Sequence, residues 1–575
     1  MNNPALHRIL SRLDERLERS PSPAYGIPGR WADPFGDPAV QSVVPERFYR
    51  DRLRDILATP PRPRVTDGVS PGDWGKNAVV YNLLVRYGAA FDHDANGSIS
   101  PEPLPSAWRE TGTFLKAIPL LPFIQSLGCN TVHLLPVTRI GQDGNKGNMG
   151  SAFAIRDPYA LDDHLAEPAL DLGAETECAA FVEAAHHLGI RVVVEFVFRT
   201  AARDSVWAQD HPEWFYWIRS DIPDRRPGDA SENAFGSPVF SPDELNRIFD
   251  AVGNGRFDDL LPPHPVYRDM FAPPPPPNTV RMENGQWRGV STDPHTGQPI
   301  LVRIPGAFCD WPLNSSQPPW TDVTYLRLYE HPGFNYMAYN TLRMYDADLA
   351  RPEHIVRPLW DRIVDTIPHY QTRFGIDGVM IDMGHALPAD LKRRMEKRAR
   401  EVNPDFALWA EDFGLNPSAR EEGYNVCLGP FLQAVRQPGD WDALLRRIGE
   451  SGVPVPFMAT AENHNTPRAV HWPGGRAFSL RAQTLGAFLP AVPYIHNGAE
   501  LAEPVPVNTG FDFTPEETAA LPPSMLPLFS AAAMDWTRRD TLIDDFRRLH
   551  ALRARHRELA TDPSPGTLAP LFTDN

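Results

Sequence analysis

The sequence predicts an α/β protein of the (β/α)₈ TIM-barrel class, on three observations. Eight short apolar runs, near residues 80, 133, 194, 380, 409, 427, 458 and 494, recur along the chain. Helical stretches separate them, which is the pattern of a parallel sheet, and eight such units close into a barrel. Carboxylates stand where several of the runs stop, and strand ends are where barrels of this type carry their sites.

The elements follow in order. Residues 4–18 set Leu6, Leu10, Leu13 and Leu17 at helical spacing, and residues 45–58 do the same with Phe48, Leu53, Ile56 and Leu57. Residues 1–75 therefore read as an N-terminal helical extension of surface helices, and 76–560 as the barrel. Ala78–Tyr87 is the first strand. Phe114–Leu127 is a helix that Pro119 and Pro122 bend or delay. Gly128 ends it, and Thr131–Pro136 is the second strand. Glu175–Leu188 is a helix, Gly189 ends it, and Arg191–Phe198 follows. Phe374 and Gly375 introduce Gly378–Met383 in the same way. Phe406–Phe413, Tyr424–Gly429, Pro454–Glu462 and Val492–Asn497 complete the eight. The stretch between the third and fourth strands is too long for one crossover. Its proline-rich middle makes about 200–320 an inserted subdomain, with Val323–Leu328 beginning a return to helix. Residues 540–559 form a last amphipathic helix, and 561–575 are a tail.

The net charge of −17 opposes binding to a nucleic-acid backbone or an anionic membrane, and no run reaches membrane-spanning length. A neutral substrate suits this charge. The four cysteines, Cys129, Cys178, Cys309 and Cys427, form no C-x-x-C pair, so zinc and redox motifs are absent. Their spacing fits buried free thiols in a reducing compartment. The N-terminus shows no apolar stretch with a cleavage site. The reading is a cytoplasmic protein, and its oligomeric state is not legible.

Asp382 closes the run GVMID, and Glu411 closes ALWAE. Retaining glycoside hydrolysis needs two facing carboxyl groups about 5–5.5 Å apart, one ionised and one protonated. Adjacent parallel strands lie roughly 4.8 Å apart and can supply that spacing. Position alone makes Asp382 a candidate nucleophile and Glu411 a candidate acid/base. Acids at strand ends also cap helices, bind solvent, or hold Mg²⁺ as in enolase-like barrels, though no lysine base is evident on these strands. In the loop after the first strand, Asp92, Asp94, Asn96 and Gly97 form D-x-D-x-N-G. Alternating oxygens around a glycine turn suit Ca²⁺. The twelfth position of an EF-hand would be Glu and is here Pro103, so a plain solvated turn stands beside the calcium reading. No other cofactor is required.

Eight blocks in order then become specific: GTFLKAIPLLPFIQSLG (112–128), HLLPV (133–137), FRTAARDS (198–205), HPEWFYWI (211–218), GIDGVMIDMGHALP (375–388), AED (410–412), NTPR (465–468) and PYIHNGAELAEPVPVNTGFD (493–512). With them the sequence resembles the alpha-amylase family of glycoside hydrolases (family 13), most nearly its bacterial maltosyltransferase type. The resemblance implies Asp382 as nucleophile, Glu411 as acid/base, and Asn465 in the place of a third carboxylate that steadies the distorted sugar. It implies a maltooligosaccharide or other α-1,4-glucan as ligand, and maltosyl transfer as the family activity. Phe153, Met380, His385, His464 and Arg468 are the candidate substrate-binding residues: His464 has the position of a sugar-binding histidine, and His385 and Arg468 sit beside site residues, where either could serve packing only.

The departures from the family pattern cluster. Met380 stands where the family has arginine, Asn465 where it has aspartate, Phe153 where a tyrosine stacks on the sugar, and Glu195 where the third strand carries aspartate. The usual C-terminal β-sandwich is not expected, because few residues follow the last helix. Losing one cation and one anion leaves the pocket's formal charge unchanged, and Phe153 keeps the stacking face. The leading reading is a glucan-active glycosidase or transglycosylase working by retaining double displacement. The alternative is a catalytically impaired or inactive glucan-binding barrel, motivated by Met380 and Asn465.

Overall fold

The computed structural model describes residues 3–66, 69–225, 234–236, 240–254, 256, 265–307, 320–330 and 351–569. All eight apolar runs contain strands: β1 (Val80–Leu83), β2 (Thr131–Leu134), β3 (Arg191–Phe196), β4 (Gly378–Ile381), β5 (Ala407–Ala410), β6 (Val426–Cys427), β7 (Met458–Ala459) and β8 (Val492–His496). They form one parallel sheet in the order β6-β5-β4-β3-β2-β1-β8-β7. A parallel bridge between Cys427 and Phe457 brings its two ends together, so the sheet is a (β/α)₈ barrel.

Three helix-to-strand passages run through glycine. Gly128, Gly189 and Gly375 have φ of +85°, +78° and +71°, a conformation that costs glycine little and closes the last helical turn. Their amides donate to the carbonyls of Gln125, His186 and Gln371. Beneath β4, buried Asp377 accepts from the Val192 amide at 2.8 Å and from the Arg191 guanidinium at 3.1 Å. That tie fixes the register of β4 against β3, in which Met380 lies opposite Glu195.

Two layers of core follow from the alternation of strand side chains. Inside the ring, Val80, Val193, Met380, Trp409, Met458 and Tyr494 belong to one buried cluster. Outside it, a larger cluster joins the strand backs to the helices. The N-terminal helices belong to the outer layer. Pro4–Arg19 buries Leu6, Ile9 and Leu13, and the amides of Ala5 and Leu6 donate to Glu183 on the helix Gly173–His187. Leu10 and Leu17, placed on the apolar face by spacing alone, are only partly buried.

Several local expectations are corrected. The first strand stops at Leu83, because the Leu84 amide turns to the Asn497 side chain at 3.1 Å, and Val85–Gly88 is a helical turn. The helix expected over 114–127 is two pieces, Phe114–Ala117 and Leu120–Ser126, separated at Pro119. Val323–Tyr325 is a strand rather than a helix start, paired antiparallel with Thr200–Ala202. Two β-branched residues and a tyrosine suit that extended ladder. Between these strands an antiparallel sheet joins Phe271–Ala272, Trp217–Arg219, Pro299–Arg303, Gln286–Thr292 and Arg281–Glu283. Trp214, Phe215, Tyr216 and Trp217 are all buried and serve as core. Cys129, Cys178 and Cys427 are buried free thiols, and Cys309 lies outside the described residues. Among the described residues no helix is long and apolar enough to cross a membrane.

A Cβ at position 375 would meet no atom within 4 Å, so Gly375→Ala isolates the cost of the left-handed backbone. That substitution is expected to destabilise the protein by about 1–2 kcal/mol, read as a lower denaturation midpoint in urea.

Candidate active site

The register that pairs Ile381 with Ala410 sets the next residues, Asp382 and Glu411, side by side at the barrel mouth. Both are partly exposed, so a substrate can reach them. The Asp382 amide donates to the Phe196 carbonyl at 3.0 Å, which ties the end of β4 to β3. The chain then turns sharply. Met383 has φ of +48°, a left-handed conformation in a residue with a side chain, of a kind that clusters at functional sites. The turn aims the Met383 amide at Glu411, whose Oε2 accepts it at 2.8 Å. His385, exposed on the following turn, places Nδ1 2.7 Å from the Glu411 carbonyl.

The carboxyl groups crowd one another. Burial, then Glu411 and Glu195, raise Asp382 well above the usual carboxylate range, with Arg199 opposing. Burial also raises Glu411, against the Met383 amide and His385. Glu195 on β3 is buried and pushed up, first by burial and then by Glu411. Its Oε2 is 3.2 Å from Nε2 of His133, whose imidazole burial drives down to about 3. The His133 ring is therefore neutral at pH 7, held by Asn82 and by the Tyr494 hydroxyl at 3.1 and 3.3 Å.

A second wall comes from the loop after β7. His464 stacks on Phe153, with ring centroids 5.0 Å apart and planes 17° from parallel. Burial, then His133, push His464 down to about 3. Asn465 is partly exposed. Its Nδ2 lies 3.1 Å from Nε2 of His464, and its Oδ1 accepts from Nδ2 of Asn508 at 2.9 Å. The amide thus offers opposite polarities to two neighbours, which a carboxylate could not do. Met380 and Arg468 differ from the expectation of contact with a sugar. Met380 is 4% exposed within the inner core, and Arg468 is fully buried. Arg468 pairs with buried Glu462 at 2.8 Å and donates to the Asn497 carbonyl at 3.0 Å, so it braces the β7 and β8 loops from beneath.

Glu462, His133 and Arg199 were not singled out from sequence as site residues. A histidine or glutamate inside an apolar β-run was the available signal for the first two. In the loop after β1, the Asp92 carboxylate accepts the Asn96 and Gly97 amides at 3.1 and 2.8 Å, and Asn96 Oδ1 accepts the Ser98 amide at 2.9 Å. Glu110, outside the motif, brings a carboxylate oxygen within 4.8 Å of those of Asp92 and Asp94.

No family model matches the sequence. The chain is similar to the alpha-1,4-glucan:maltose-1-phosphate maltosyltransferase of Mycolicibacterium smegmatis, at 30% identity over 212 residues, covering 33% of this chain and 29% of that protein. The same-named protein of Chlorobaculum tepidum is 32% identical over 130 residues, 20% of this chain and 19% of that one. The chain therefore matches less than a third of the length of these relatives. Among solved structures, an alpha-amylase from Lactobacillus plantarum superposes with a TM-score of 0.48 at 18% identity, covering 83% of this chain and 80% of that one. With its motifs in family order on a (β/α)₈ barrel and maltosyltransferases among its relatives, the chain is similar to the alpha-amylase family, glycoside hydrolase family 13.

Proposed function

We propose that this protein is an enzyme acting on α-1,4-glucans, with Asp382 as nucleophile and Glu411 as acid/base of a retaining double displacement. The observation that carries the reading is the junction at Met383. Its amide holds the Glu411 carboxylate one residue from Asp382, on strands whose register sets the two acids opposite each other. Carboxyl groups about 5–5.5 Å apart, the spacing that neighbouring strands can supply, leave no room for a water between the second carboxylate and the sugar, so the reading takes a covalent intermediate over direct inversion. Asp382 attacks the anomeric carbon as Glu411 protonates the departing glycosidic oxygen. Glu411 then takes a proton from the incoming hydroxyl, and the bond to Asp382 breaks. Phe153, backed by neutral His464, offers an aromatic face to the sugar, and the Asn465 amide gives hydrogen bonds without adding charge. Transfer to a second glucan is the step we favour, because the relatives carry maltosyltransferase names.

Incubation with maltoheptaose and chromatography of the products tests the assignment. Longer and shorter oligomers together mean transfer, and shorter ones alone mean hydrolysis. Glu411→Gln is expected to lower turnover by about 10²–10⁴-fold, and Asp382→Asn at least as much. A product pattern identical to that of the Asp382→Asn variant would remove the reading.

The pH dependence has a definite sign. Activity requires ionised Asp382 and is lost as pH falls through its raised pKa. It also requires protonated Glu411 and is lost as pH rises through that group's raised pKa. The rate optimum is therefore expected nearer neutrality than two ordinary carboxyl groups would give.

We also propose a structural Ca²⁺ in the loop after β1, held by Asp92, Asp94 and Glu110, whose oxygens converge. Millimolar Ca²⁺ is expected to raise the melting temperature of the protein and not that of Asp94→Ala. Equal melting curves with Ca²⁺ and with chelator would exclude it.

A further inference from the structure

Three acids meet at the mouth of the barrel, from the ends of β3, β4 and β5, and burial disfavours a charge on each of them. Such a pocket holds an ionised nucleophile only if a cation stands close. The strand that supplies Asp382 offers none, since its inward residue one step below is Met380.

Arg199 occupies the turn just beyond β3 and is 1% exposed. Its guanidinium lies over the Tyr325 ring, 4.4 Å from the centroid. Its Nη1 donates to Sδ of Met383 at 3.4 Å, and Met383 directly follows Asp382. Its own backbone is pinned, because the Arg199 carbonyl accepts the Leu326 amide at 3.0 Å. Tyr325 is in turn locked opposite Thr200 in the antiparallel pair. The cation is therefore built into the fold from two sides. An ion over an aromatic face, out of water, keeps its charge and its direction.

We propose that Arg199 is the positioning cation of this site, holding Asp382 ionised and aimed from the end of β3 where β4 contributes only methionine. It acts through the nucleophile and need not touch the sugar. The inference rests on the assignment of Asp382 above. Among the described residues, the charged and titratable groups facing Asp382 are Glu411 from β5 and Glu195 and Arg199 from the β3 side, with His385 beyond Glu411 and His133 beyond Glu195.

The test uses the full chain and two readouts. The first is an infrared titration of the carboxyl groups, with the Asp382 signal assigned as the one lost in Asp382→Asn. Arg199→Gln is expected to move the Asp382 midpoint to higher pH, and Arg199→Lys to leave it near the wild-type value. The second is turnover of maltoheptaose against pH. Arg199→Gln is expected to lose about 10²–10³-fold, with its acid limb shifted up, and added Met380→Arg is expected to recover at least part of that loss. Should Arg199→Gln fail to fold, Tyr325→Leu removes the platform alone and is expected to shift the midpoint in the same direction. An unmoved Asp382 midpoint in a folded Arg199→Gln or Tyr325→Leu variant overturns the proposal. A moved midpoint in a protein that leaves maltoheptaose unchanged supports the role of Arg199 and sinks the enzymatic reading instead.

Discussion

The site depends on one hydrogen bond, from the amide of Met383 to the carboxylate of Glu411. Parallel strands bring two residues abreast but leave their side chains free to diverge. Here the backbone leaves β4 through a left-handed residue, and the amide so exposed has one good acceptor, the acid on the next strand. The same bond satisfies a polar backbone group and sets the direction of a catalytic-type side chain. The Asp377 tie below β4 and the Asp382 amide above it hold the strand in the register this bond requires.

Around that bond the pocket is arranged to carry little net charge. Glu195 is pushed toward its neutral form, and His133 and His464 are neutral imidazoles. Burial raises both Asp382 and Glu411, and the charge of Glu411 further disfavours one on Asp382. Asn465 fits the same scheme. Its two neighbours ask for opposite polarities, and an amide answers both without adding an ion.

The barrel was legible in the sequence because eight Val-, Ile- and Leu-rich runs, with glycine at three helix ends, leave few other solutions. Strand ends carried the same clarity, and Asp382 and Glu411 lie where the runs placed them. What failed was local. Val323–Tyr325 read as a helix start because its strand partner lies more than a hundred residues away, at Thr200–Ala202. Met380 is a candidate sugar contact by its place in the family pattern, whereas alternation turns it into the ring; of the two roles open to Arg468, the ion pair beneath the loops is the packing one. Arg199 sat in a quoted block without a role, since nothing in one sequence says which way a guanidinium turns.

The pairing of Val323–Tyr325 with Thr200–Ala202 gives the segment between β3 and β4 more than a place on the rim. Tyr325 belongs to the returning limb of that segment, and its ring supports the Arg199 guanidinium, which reaches the Met383 side chain next to Asp382. The excursion thus supports a cation at the barrel mouth. On the role proposed for Arg199, evolution could retune how readily Asp382 ionises by editing that excursion, leaving the eight staves as they are.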